Sequence, residues 1–147
     1  MRTTTPRPIA ESELAVVRMI LERVPFKAIP RSTIEAVPEL VVVGDCECGC
    51  ACLDFAEPEN FQAAGVPVAG GYGSTASGAT VETLVFGTPD AILALRILPL
   101  GHDDGTLPRL DSIGVMLPGD AGQQRVAADG TCAPPLNTRS LAGLLDA

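Results

Sequence analysis

The sequence predicts an α+β fold in which an N-terminal amphipathic helix packs on an antiparallel sheet of about four or five strands. Three observations carry that expectation. Apolar residues recur at helical spacing near the start of the chain. Short β-branched runs punctuated by Gly and Pro follow from residue 39 onward, and two of those runs are joined by a turn signal at Gly87-Thr88-Pro89-Asp90.

The helix comes first. In ESELAVVRMILERV, residues 11–24, Leu14, Val17, Leu21 and Val24 stand three or four apart, with Val16 and Ile20 widening the stripe and Arg18 and Glu22 paired at i,i+4 outside it. Pro25 ends it, because proline brings no amide hydrogen and clashes with the preceding turn. Pro30 to Ala36 reads as one short helical turn with proline early, closed by Pro38. Leu40 to Val43 and then Asp45 to Phe55 read as one long strand, or as two broken at Gly44. Residues 56–78, with Pro58, Pro67 and five glycines, read as a loop.

The hairpin is the clearest local signal. Ala79 to Phe86 and Ala91 to Leu98 are strand-length apolar runs, and a three-residue loop at Thr88 to Asp90 sets Phe86 against Ile92, Leu84 against Ala94 and Glu82 against Arg96. Both faces of it are apolar, so cover is expected from the C-terminal segment or from another copy of the chain. Ile113 to Leu117 reads as a last short strand, residues 118–147 as an irregular C-terminal segment, and Asn137 to Leu145 as a terminal helical turn. The 147 residues make one domain, with its core in residues 10–117.

Composition narrows the function. Ten basic against eighteen acidic side chains give a net charge of -8, and tryptophan is absent. The acidic excess lies late, since residues 37–147 hold four Lys/Arg against fourteen Asp/Glu. Nucleic acid is disfavoured, because it selects cationic surface and aromatic stacking platforms. The N-terminus lacks an apolar run of signal-peptide length, and Ala91 to Leu100, interrupted by Arg96 and Pro99, is too short to span a bilayer. Five cysteines without a secretion signal are expected to be reduced thiols of a cytoplasmic protein.

The unusual feature is Cys46-Glu47-Cys48-Gly49-Cys50-Ala51-Cys52, four cysteines in strict alternation. On a straight strand, alternate side chains stand about 6.6–6.8 Å apart on one face, whereas a zinc site draws four sulfurs to about 2.3 Å from a common centre. The extended reading therefore makes these cysteines buried, apolar filling of a sheet face. A turn at Gly49 would instead gather Cys46, Cys48, Cys50 and Cys52 as a thiolate cluster for Zn or Cu(I). No other cofactor is expected. Cys132 lies far along the chain.

Catalytic sets are thin. His102, the only histidine, sits in Gly101-His102-Asp103-Asp104-Gly105, where a solvated turn is the plainer reading than a base for a cysteine nucleophile. Gly70-Gly71-Tyr72-Gly73-Ser74-Thr75-Ala76 has no strand before it or helix after it of the kind a dinucleotide loop needs, and Lys27 is the only lysine, so no phosphate-loop lysine exists. The expectation is a non-catalytic binding protein, an acidic inhibitor- or immunity-type partner or a homodimer, with a thiolate metal protein as the alternative.

At Cys48-Gly49-Cys50-Ala51-Cys52-Leu53-Asp54-Phe55, with the leading helix, the proline-bounded turn and the later hairpin, the chain resembles small bacterial proteins of unknown function built around a Cys-Gly-Cys strand. The resemblance covers residues 10–117, implies an α+β fold and implies no activity.

Overall fold

The structure is a computed structural model, and it describes residues 2–46, 50–57, 67–101 and 105–114. It is α+β. Helix α1 (Glu11–Arg23), a short α2 (Arg31–Glu35) and a 3-10 turn (Val37–Glu39) accompany the strands β1 (Arg2–Pro8), β2 (Val41–Asp45), β3 (Leu53–Asp54), β4 (Pro67–Ser74), β5 (Thr80–Thr88) and β6 (Ala91–Pro99). All neighbouring strands are antiparallel, in the order β1-β2-β3-β6-β5-β4.

Six strands stand where four or five were expected, and two of the six were not anticipated. The first is β1, which starts before residue 10 and carries Pro6 and Pro8. Proline removes a ladder donor, so the segment carries little strand signal. It is accommodated because β1 lies at the sheet edge, where one side of its backbone needs no partner. The second is β4, read from its glycines as part of a loop spanning 56–78. Its residues pair with β5 from Pro67↔Phe86 to Ser74↔Thr80. Glycine is required there for closeness: a Cβ on Gly70 would come 2.8 Å from the Thr83 carbonyl oxygen and 2.7 Å from Leu84 Cδ2. Residues 58–66 of the expected loop lie outside the described residues.

Helix α1 matches its periodicity. Val16, Val17, Ile20 and Leu21 are buried and face β4 and β5, where Val68, Ala69, Val81, Val85, Leu95 and Ile97 complete the core. At about 1.5–3 kcal/mol per buried aliphatic side chain, those four helix residues alone contribute at most about 6–12 kcal/mol of transfer free energy. After α1 the chain runs along the outer edge of β4. Phe26 N–H donates to Val68 O at 2.9 Å and Gly70 N–H donates to Val24 O at 3.1 Å. Further along the same edge, Arg109 N–H donates to Ser74 O and Gly114 N–H to Tyr72 O. The edge that would otherwise recruit another strand is thereby covered. Ile113 and Gly114 form a turn after a 3-10 segment (Leu110–Ser112), so the expected strand does not begin there; Val115 to Leu117, the 118–147 segment and its helical turn lie outside the described residues.

The hairpin is present, with a different register. Glu82 faces Leu98, Leu84 faces Arg96 and Phe86 faces Ala94, and the loop is the two residues Pro89-Asp90 because a bulge at Phe86/Gly87 absorbs the odd residue. Gly87 makes the bulge possible: its φ is +153°, and a Cβ there would collide with the Ala91 carbonyl oxygen. The expected Glu82–Arg96 match fails because Arg96 is taken by Asp54 on β3, Nη2 to Oδ1 at 2.9 Å, with Nη1 donating to Leu53 O at 3.0 Å. From Val81 to Phe86 the displacement is two residues, which keeps those side chains on their expected faces; beyond the bulge it is one. Both faces of β5 are closed within one chain, since Val81 to Val85 are all buried.

Candidate functional site

The cysteine segment is not a straight strand. Asp45 pairs with Leu53 and Gly44 with Asp54 in antiparallel register, so the chain reverses between Cys46 and Cys52. On a straight strand Val42 and Leu53 would stand about 36 Å apart. Instead both are buried in one core cluster. Val42 from the first run and Leu53 and Phe55 from the second bury in the same core, and that shared burial favours a reversal over an extended path. The expectation that the thiols fan out along a sheet face is corrected on this ground. Cys50 and Ala51 stand in a bend, while Glu47, Cys48 and Gly49, including two residues of the Cys-Gly-Cys kernel, lie outside the described residues.

The reversal brings Cys46, Cys50 and Cys52 onto the wall of one cavity of about 360 Å³, shared with Asp45, Arg7 and Glu13. The three cysteines are reduced; Cys46 and Cys50 are half-buried and Cys52 is buried. Cys52 has a specific structural task. The β3–β6 ladder stops at Leu53↔Leu95, which leaves the next outward-facing backbone groups of β6, those of Ile97, without a strand opposite. Ile97 N–H donates to Cys52 Sγ at 3.3 Å, and the thiol lies 3.6 Å from Ile97 O, to which it donates. The side chain thus stands in for a missing strand residue.

Burial pushes the Cys52 thiol above its ordinary value, with the nearby Cys46 sulfur adding to the rise; the Ile97 amide, a hydrogen bond with Cys50 and the Arg96 charge oppose it without reversing it. Cys52 is consequently a neutral thiol at pH 7. Across the cavity, Arg7 grips Glu13 with two hydrogen bonds, Nη1–Oε1 at 3.0 Å and Nη2–Oε2 at 2.8 Å. Glu13 Oε1 also accepts the Ala10 N–H at 2.8 Å, satisfying one orphan amide at the start of α1. Burial alone would raise the Glu13 carboxyl. The Arg7 hydrogen bond, the Ala10 amide and the Arg7 charge together hold it below the usual carboxylate value. The Glu13 hydrogen bond likewise holds the Arg7 guanidinium above its ordinary value.

Among the described residues, no group of three or more Cys, His, Asp or Glu side chains stands close enough together to hold a metal ion as it is arranged. Of the candidate residues, His102, Asp103, Asp104 and Cys132 lie outside the described residues, as does Cys48. The glycine stretch lies in strand β4 as far as Ser74. Arg7, Glu13 and Asp45 were missed as lining residues. The only hint in the sequence was Glu13 at the third position of a helix start. Among the described residues, no helix is long and apolar enough to cross a membrane. Compared with known proteins, the chain matches no protein-family model, no curated protein and no solved structure.

Proposed function

We propose that this chain is a non-catalytic binding protein whose site is the cysteine turn, and that its ligand is a soft metal ion, Zn or Cu(I). The observation that carries the reading is the β2–β3 reversal, which gathers the thiols of Cys46, Cys50 and Cys52 on one cavity wall beside the Asp45 carboxylate. Thiolates are the donors such ions prefer, and three thiolates with a carboxylate or a water make a four-coordinate zinc shell. Rotation of the half-buried Cys46 and Cys50 side chains toward Cys52 is the movement that closes such a shell. Cys48 completes the sequence set of four.

The test is titration of reduced, chelator-stripped protein with Zn, and separately with Cu(I), under a competing chromophoric chelator. One equivalent is expected to bind, with affinity at least tenfold weaker in Cys50→Ser and in Cys52→Ser. Failure of the wild-type protein to compete for either ion refutes the reading.

The charge distribution favours a second reading, an acidic inhibitor- or immunity-type protein that covers a basic partner. The fourteen-to-four acidic excess after residue 36 supports it, as a field that steers cationic surfaces at low salt. Pull-down at low salt followed by size-exclusion chromatography tests it, and a protein that stays monomeric and retains no partner counts against it. Under both readings the protein works in the reducing cytoplasm.

A further inference from the structure

We infer that Cys50 and Cys52 form a dithiol that a hydroperoxide oxidises to an intramolecular disulfide, a redox site distinct in chemistry from metal binding and independent of it.

Three observations carry the inference. The two side chains are in hydrogen-bond contact. The chain between them is bent at Cys50 and Ala51. A straight strand separates residues i and i+2 by about 6.6–6.8 Å, at the upper limit of Cα separations that a disulfide bridges. The bend departs from that straight-strand geometry, in which parallel projection would keep the sulfurs apart. Finally, the pair opens on a cavity of about 360 Å³, ample for hydrogen peroxide or a small alkyl hydroperoxide.

Exposure divides the roles. Cys50 is half-buried at the cavity wall, whereas Cys52 is buried and tied to Ile97. In the first step the Cys50 sulfur attacks the outer oxygen of the hydroperoxide, the O–O bond breaks, and the thiol proton passes to the leaving alkoxide, giving Cys50 sulfenic acid and an alcohol, or water from hydrogen peroxide. In the second, the Cys52 sulfur attacks the sulfenic sulfur, an S–S bond forms, and the hydroxyl leaves with the Cys52 proton as water. Two thiols lose two electrons and two hydrogens, and one O–O bond is reduced.

The experiment uses metal-free, reduced protein and one equivalent of hydrogen peroxide, so its outcome does not depend on whether the site binds metal. Thiols are then alkylated and located by mass spectrometry with fragmentation through residues 46–52. Cys50 and Cys52 should lose alkylation together while the other three cysteines keep it, with a mass lower by two hydrogens and full recovery after dithiothreitol. A triple variant, Cys46→Ser/Cys48→Ser/Cys132→Ser, isolates the pair and should fall from two titratable thiols to none as a monomer. Continued alkylation of Cys50 or Cys52, a sulfenic acid on Cys50 that dimedone traps without coupling, or disulfide-linked dimers in place of the internal bond would each overturn the inference.

Discussion

Replacing Arg96 by methionine should cost about 3–5 kcal/mol of folding free energy, because it leaves the Asp54 carboxylate buried without its cation. The Asp54 side chain is 3% exposed and Arg96 is 21% exposed, so water replaces little of the lost interaction. With that 2.9 Å contact to Asp54 Oδ1 go two further hydrogen bonds, from Nη1 to the Leu53 carbonyl at 3.0 Å and to the Leu95 carbonyl at 3.1 Å. For a chain of this length the whole stability is about 7–20 kcal/mol, so the variant should unfold at markedly lower urea concentration with an unchanged slope. The double variant Asp54→Leu/Arg96→Met removes both charges and should recover to within about 2 kcal/mol of wild type, since an apolar pair of similar bulk carries no desolvation cost. Urea denaturation of all members of the cycle measures the coupling. An Arg96→Met loss below about 1 kcal/mol, the range of exposed ion pairs, or additive single effects would refute the assignment of this pair as a buried one.

Other outcomes follow from the same geometry. Gly70→Ala should destabilise by about 1–3 kcal/mol in chemical denaturation, as overpacking does, because the neighbour at 2.8 Å is the Thr83 backbone and cannot swing aside. Cys52→Ala should cost about 1–3 kcal/mol and speed amide exchange at Ile97, whose N–H loses its acceptor. Glu13→Ala should lower stability at pH 7 by about 1 kcal/mol through the lost cap. The Glu13 carboxyl is held below its ordinary 4.5 in the folded state, so its contribution is present above that pH and is lost as pH falls through the folded value. The stability difference between wild type and Glu13→Ala should accordingly shrink on acidification below pH 4.5.

Much of the fold was legible where burial repeats at a regular period. The α1 stripe, the stop at Pro25 and the face assignments of the hairpin all follow from spacing, because a side chain's position on a helix or strand is set by its own backbone period. Elements whose stability comes from neighbours were not legible. The β1 strand survives its prolines only because it lies at an edge, and β4 is a strand only because β5 supplies its ladder and a close carbonyl supplies the need for glycine.

The same division explains the site. Local patterning alone determined that this is an acidic α+β chain with a helix, a hairpin and four alternating cysteines. Tertiary structure alone decided that Arg96 answers Asp54 and not Glu82, and that the cysteines turn a corner together with Arg7, Glu13 and Asp45 around them. Alternation along the chain cannot distinguish a straight path from a reversal when the residues are small, since what bends the chain is the burial of Val42 and Leu53 in a common core.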